Sequence, residues 1–330
     1  MTPGAHPYLD HGLAAALAQG SGALMVQHVA AWDGAPMLVR DVPGGGGQDA
    51  SGCYPMLPFA PHWDARSGAA ELAGRGLVSA VFVTDPVLPP PDPQAFDHAR
   101  PFKTHHLVDL AAGSYRPSAH HAQEIRRAKG RAVIEEVDFA AYLPTWSSLY
   151  GQLAAERGFS GGVQDFGAAY FTALARAGVR AWLAQSAGVP VAMALWLRHG
   201  PVAYYHLAAG STEGRKVSAA YGLVDAAIRC LSADGVATIV LGGAAGGVDA
   251  PDSGLARFKA GFANATATTM VCGLVLDHRR YHALATAAAP GNAWFPSYRA
   301  PRPAAATLAA PTHPLPADEA RTLRIPAPAD

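Results

Sequence analysis

Residues Val236 to Phe262 read VATIVLGGAAGGVDAPDSGLARFKAGF, and the fold turns on how this stretch is divided. An apolar run from Thr238 to Leu241 stops at Gly242-Gly243 and passes through a Gly/Ala/Asp/Pro/Ser loop. It resumes as a short helical pattern carrying Arg257, Phe258, Lys259 and Phe262. That is strand, loop and helix. Paired glycines let backbone approach a ligand closely, because nothing projects from Cα and positive φ costs little. Behind the loop one cation, Lys259, stands between aromatic residues.

Working upstream, a long helical pattern from Ser218 to Ala233 ends at Gly235. Before it, three β-rich runs (Arg180 to Gln185, Pro190 to Arg198, Val202 to Leu207) are separated by Ala187-Gly188 and His199-Gly200. Those are tight-turn residues, so the spacing predicts an antiparallel meander. Helices are expected at Ser118 to Lys129, Phe139 to Ala155 and Phe166 to Ala177, with a strand over Ala132 to Val137. Downstream, Thr266 to Leu276 reads as a strand. In the first third, a helix at Leu13 to Ala18 precedes two strands, Ala23 to Ala30 and Ala35 to Arg40, split by the turn Trp32-Asp33-Gly34. PGGGGQDASGCYPMLPF is too rich in Gly and Pro for a regular element and reads as one long loop. A helix at Gly68 to Gly76 and strands at Leu77 to Thr84 and Thr104 to Leu110 complete an α/β pattern with a mixed sheet. From about Arg302 the Pro/Ala composition predicts a disordered or loosely packed tail, residues 301–330.

Of the 330 residues half are hydrophobic and 15% charged, which suits a well-covered body. Lys plus Arg equals Asp plus Glu at 25 each, so no global field draws the chain to DNA, and any polyanion must meet a local patch. Cys53, Cys230 and Cys272 are far apart and form no CxxC pair, which argues against a disulfide framework or zinc site. His105-His106 and His120-His121 are adjacent pairs, and strand neighbours point to opposite faces. The HxxxH spacing at His278 and His282 encloses Arg279 and Arg280, so no metal is expected. No run of about 18 apolar residues offers a membrane span. The N-terminus lacks a secretory pattern, and the expected location is cytoplasmic.

IRRAKGRAVIEEV, YYHLAAGS, VLGGAAGG, SGLARFKAGF and WFPSYR, in this order of elements, resemble the Fem-type (FemAB-like) branch of the GNAT superfamily. YPMLPF at Tyr54 to Phe59 and THHLVDL at Thr104 to Leu110 are similar to segments of its first half. The resemblance implies tandem GNAT-like domains: residues 1–116, the degenerate one, and residues 117–300, carrying the donor-side motifs. It implies an acyltransferase that forms an amide using aminoacyl-tRNA as co-substrate, with no permanently bound cofactor. Ordinary GNAT enzymes cradle the CoA pyrophosphate on a glycine loop before the long helix. Here that span reads Arg215-Lys216-Val217-Ser218-Ala219-Ala220, with Ser218 at the first glycine position. A side chain there hinders phosphate from reaching backbone N–H groups, which disfavours the alternative donor, acyl-CoA.

By resemblance, Lys259 faces the donor's ester or terminal phosphate, Phe258 packs on its terminal base, and Arg257, Gly242 and Gly243 line the donor side. On spacing alone Lys259 also reads as a solvated helix lysine beside core aromatics. The basic run holding Arg126, Arg127, Lys129 and Arg131 reads either as a solvated helix face or as a grip on a tRNA acceptor stem. His206, next to Tyr204 and Tyr205, is the candidate for deprotonating or orienting the acceptor amine, and equally a core histidine. Asp109 and Asp252 are alternative bases. Tyr54, Tyr204 and Tyr205 are the candidates for the acceptor cleft, the acceptor being an amine of a natural product or cell-wall precursor. A third reading is a non-catalytic twin-GNAT binding protein.

Overall fold

The computed structural model describes residues 6–158, 166–243, 253–286 and 294–300. The first half runs α1 (His11–Gly20), β1 (Met25–Val29), β2 (Ala35–Asp41), β3 (Gln48–Gly52), α2 (Ala65–Gly74), β4 (Leu77–Val83) and β5 (His98–Asp109). The second half begins with α3 (Ala119–Lys129), β6 (Val133–Val137), α4 (Leu143–Arg157), α5 (Ala168–Arg176), β7 (Arg180–Ser186), β8 (Val189–His199) and β9 (Val202–Gly210). It ends with α6 (Thr212–Lys216), α7 (Ala219–Ala233), β10 (Thr238–Gly242), α8 (Gly254–Ala260), β11 (Ala265–Val275) and α9 (His278–Thr286).

The eleven strands of the described residues join one mixed sheet, in the order β1-β2-β3-β4-β11-β5-β10-β9-β8-β7-β6. Each half repeats one plan. Antiparallel strands lead to a helical crossover, α2 or α7, which delivers a strand parallel to its neighbour: β4 to β3, and β10 to β9. The closing strand of each half then crosses over. β5 pairs antiparallel with β10 of the second half, β11 with β4 of the first, and β5 with β11 in the middle. The α/β fold with its mixed sheet is therefore as expected.

Strand alternation sets the layers. On one face Leu38, Leu107, Tyr204 and Val240 join α1, α4 and α5 in a core holding Trp146, Tyr150, Tyr170 and Phe171. On the other face, α3, α7 and α8 cover the second half through Ile125, Leu223, Ile228 and Phe262. There α2 covers the first half around Trp32, Phe59 and Phe82.

Three expectations are corrected. The Gly/Pro-rich segment is not one long loop, since Gln48–Gly52 forms β3, paired with β2 on one side and β4 on the other. Small residues make that possible: a Cβ on Gly52 would lie 2.8 Å from the Phe82 Cβ. Pairing on both edges overrides weak intrinsic propensity. β5 starts at His98, not Thr104, and Pro101 is accommodated where the register with β11 shifts between Thr269 and Met270. The segment His278–Thr286, read only for its histidine spacing, is helix α9. The Pro/Ala tail after residue 300 lies outside the described residues.

The WFPSYR segment straps the C-terminal part to the first half. Arg299 donates to both carboxylate oxygens of buried Asp49 at 2.7 Å, and Tyr298 donates to the same carboxylate at 2.9 Å. Removing one partner of a buried pair leaves a desolvated charge. Arg299→Ala is expected to lower unfolding stability by about 3 kcal/mol, read from urea unfolding, and Arg299→Ala/Asp49→Asn should recover part of it. A loss within about 0.5 kcal/mol, the range of ordinary surface substitutions, would mean that the strap does not anchor the fold.

Candidate active site

β10 carries a register shift between Val240 and Gly242, where its ladder with β5 breaks. Its parallel pairing with β9 ends at Val240–Tyr204, so the two strands part there. Gly242 adopts φ +85°, and a Cβ on it would lie 3.0 Å from Lys259 Nζ. The positive φ is the conformation that glycine adopts without strain. Lys259 reaches the end of β10 from α8, whose N-terminus is capped by Ser253, and donates to the Gly243 carbonyl at 2.7 Å. Burial, with the charge of Lys103 nearby, lowers its ammonium to about 8.

Phe258 packs in the helical layer against Tyr221 and Phe262, with ring centroids 5.0 and 5.2 Å away. Its carbonyl accepts a bond from His121 Nε2 at 2.8 Å, tying α8 to the first turn of α3. The structure thus brings Lys259, Phe258, Gly242 and Gly243 together. Arg257 is exposed on α8. Arg126 and Arg127 are exposed on the last turns of α3, about 8 Å or more along the helix from His121. Arg127 lies 3.9 Å from Glu124, and Lys129 pairs with Asp225 at 3.0 Å.

His206 is 7% exposed and bonded on both ring nitrogens: Nδ1 to Tyr8 Oη at 3.3 Å, Nε2 to Tyr170 Oη at 3.0 Å. Burial lowers it to about 3, so the ring is neutral at pH 7. Tyr54 stands on the same face, its ring 6.2 Å from that of His206 and 5.3 Å from Phe166. Tyr204 is there too. Tyr205 is not: strand alternation turns it to the opposite face, against Trp196 at 4.8 Å, so it does not share the cleft of Tyr54 and Tyr204. Asp109 accepts from the N–H groups of Ala111 and Ala112, the geometry of a turn carboxylate. Asp252 lies outside the described residues, as do Gly246 and Gly247.

Two groups escaped the sequence reading. Asp85, 3% exposed and just past β4, accepts from Tyr204 Oη at 2.7 Å and lies 3.3 Å from His6 Nε2. His105 on β5 is 8% exposed, with no hydrogen-bond partner for Nδ1 among the described residues. Burial first, then the Lys259 charge, lowers it to about 4. It stands beside the glycine pair: a Cβ on Gly243 would lie 3.2 Å from His105 Cδ2. Alternation along His105-His106 was legible. That β5 lies beside β10 was not.

At the start of α7, Ser218 has φ +60° and its hydroxyl donates to Glu124. A carboxylate therefore already stands at the first turn, where an ordinary GNAT cradle would hold pyrophosphate. Among the described residues no group of histidine, cysteine and acidic side chains is arranged for a metal ion, and no helix is long and apolar enough to cross a membrane.

Residues 118–260 match the family model described as an acetyltransferase (GNAT) domain. No curated protein matches the chain by sequence. Among solved structures, FemX superposes with a TM-score of 0.52 at 12% identity, covering 75% of this chain and 86% of that one. The C-terminal domain of a putative lysylphosphatidylglycerol synthetase from Agrobacterium fabrum gives 0.53 at 16% identity, covering 81% and 88%. The L-PGS of Bacillus licheniformis gives 0.51 at 12%, covering 82% and 93%. Residues 118–260 thus match a GNAT domain model, and the chain as a whole shares the fold of these structures.

The histidines set an acid limit on stability. His206 charges near 6.5 in an unfolded chain but near 3 when folded, so between those values the unfolded chain binds more protons. Stability is then lost as pH falls below about 6.5, and His105, at about 4, acts in the same direction. His206→Gln is expected to flatten the fall in urea midpoint between pH 6.5 and 4. An unchanged slope would show that His206 is not buried in its neutral form.

Proposed function

We propose that the protein is an amide-forming aminoacyltransferase that moves an aminoacyl group from aminoacyl-tRNA to an amine of a small-molecule or peptidyl acceptor in the cytoplasm. The observation that carries the reading is the half-buried Lys259 ammonium, fixed on the Gly243 carbonyl at the end of β10, beside His105 of β5. In the reaction the acceptor amine attacks the ester carbonyl, a C–N bond forms, the ester C–O bond breaks, and a proton passes from the amine to the departing ribose oxygen. No covalent enzyme intermediate is needed. Lys259 retains N–H bonds for the developing oxyanion, in a setting poor in water where such a charge counts for more.

His206 takes the orienting role of the two assigned to it. Its neutral ring holds Tyr8 and Tyr170 in place beside Tyr54, and accepting a proton would cost it one of those bonds. Arg257, Arg126 and Arg127 are exposed in the helical layer and suit the phosphates of an acceptor stem, with affinity that falls as salt rises. The Ser218–Glu124 contact opposes the acyl-CoA alternative, since a second anion at the start of α7 meets a carboxylate.

Two experiments test this. A donor screen of charged tRNA against acyl-CoA, with mass-spectrometric detection of new amide, should give product only with tRNA and lose it with RNase; product from acyl-CoA would overturn the donor. Lys259→Ala should cost on the order of 10²-fold in kcat. Because the working form is the ammonium, the wild-type rate should fall as pH rises through about 8. Lys259→Arg should remove that limb, since a guanidinium stays charged. Wild-type rates in Lys259→Ala would remove the lysine from the mechanism.

A further inference from the structure

The first half contains its own parting of parallel strands. β3 and β4 pair at Ala50–Ala80 and Ser51–Val81, and the chain next meets β4 at the bridge between Leu57 and Thr84. The intervening segment, Gly52 to Met56, is longer than the stretch of β4 it faces, Phe82 and Val83, so it bows outward. With the end of α1 it encloses a cavity of about 210 Å³. Leu17, Leu38, Cys53, Tyr54, Val81 and Val83 give it apolar walls.

Polar groups gather at one end. Arg40 donates from Nη1 to Ser51 Oγ at 2.6 Å and from Nε to the Ser21 carbonyl at 3.4 Å. No carboxylate among the described residues pairs with it: its cross-strand neighbour Asp49 is held by Arg299 and Tyr298. Burial first, then the charge of Arg299, lowers the Arg40 guanidinium from its ordinary value, with the Asp49 carboxylate acting in the opposite direction. Beside it the Ser21 hydroxyl is buried and unpartnered. A half-buried cation with no ion pair of its own among the described residues, an unsatisfied hydroxyl and an apolar cavity form a set of groups that a bound anion would complete.

We propose that this cavity binds the carboxylate of a small molecule with a short apolar body, gripped by Arg40. The planar guanidinium matches a carboxylate in a two-bond fork. A single cation, whose neighbouring carboxylate Asp49 is held by Arg299 and Tyr298, suits one negative charge better than the two of a phosphate monoester. The volume lies below the roughly 300–1,000 Å³ of drug-sized sites, so the occupant is about the size of one amino-acid side chain with its carboxyl group. Calling this molecule part of the amine acceptor rests on the transfer reaction proposed above. The binding does not.

The test needs no donor and no turnover. Isovalerate, isobutylamine and inorganic phosphate are titrated separately into the full chain by calorimetry and ligand-observed NMR. Isovalerate should bind at one site, and isobutylamine, with a similar body and opposite charge, should not. Arg40→Met should weaken isovalerate on the order of 10-fold or more, Arg40→Lys less, and Val81→Phe, which fills the cavity, should abolish binding. Lys259→Ala should leave it unchanged, which separates this site from the transfer chemistry. Near-UV circular dichroism establishes that each variant is folded. Equal binding of acid and amine, unaltered affinity in folded Arg40→Met and Val81→Phe, or binding of phosphate without isovalerate would each overturn the proposal.

Discussion

The exchange of closing strands at the centre of the sheet is the constraint on which everything else hangs. β5 leaves the first half to pair with β10, and β11 leaves the second to pair with β4. The ladder between β5 and β11 then locks the two crossings together, from Ala265–Leu107 to Gly273–His98. Without the exchange, β10 would have an open edge and its backbone groups no partner. With it, Lys103 and His105 of the first half arrive beside Gly243 of the second. The candidate site is thus composite in sequence.

The two halves treat the same topological gap differently. Parallel strands joined by a crossover helix part in both, at Tyr204–Val240 and at Ser51–Val81. In the second half a glycine pair stands at the end of β10, and Lys259 reaches it from the helical layer. In the first the gap is widened by the Gly52 to Met56 bow, and its cation, Arg40, comes from a strand on the sheet itself. Lysine and arginine are not equivalent in these places. A compact ammonium whose proton affinity shifts on burial suits a point charge at a reacting carbonyl, and a permanently charged fork suits a fixed carboxylate.

Long periodic segments were legible, and segments that owe their structure to partners were not. The meander, α7, β10 and α8 announce themselves by alternation, helical spacing and glycine stops. β3 does not, because Gln-Asp-Ala-Ser-Gly has little strand preference and is held by β2 and β4. The same division holds in the site. Lys259, Phe258 and the glycines are close in sequence and were found together. Asp85 reaches Tyr204 across 119 positions, and Tyr8 reaches His206 across 198, so neither contact leaves a local mark. Tyr205 fails for a different reason: adjacent strand residues face opposite ways, so Tyr204 and Tyr205 were never able to line one cleft.

The start of α7 bears on the donor through charge alone. A helix N-terminus attracts an anion because its first N–H groups lack partners and the peptide dipoles add. Ser218 stands there with φ +60°, and its hydroxyl is committed to Glu124 of α3. The carboxylate therefore arrives from within the fold, carried by a helix that packs along α7 and whose His121 also fixes the Phe258 carbonyl. A pyrophosphate at this place must either displace Glu124, breaking the α3–α7 contact, or sit beside it and repel it. Under the transfer reaction proposed above, a donor whose phosphates lie farther out, toward the exposed Arg126, Arg127 and Arg257, meets neither cost, and only its terminal base and ester need reach Lys259.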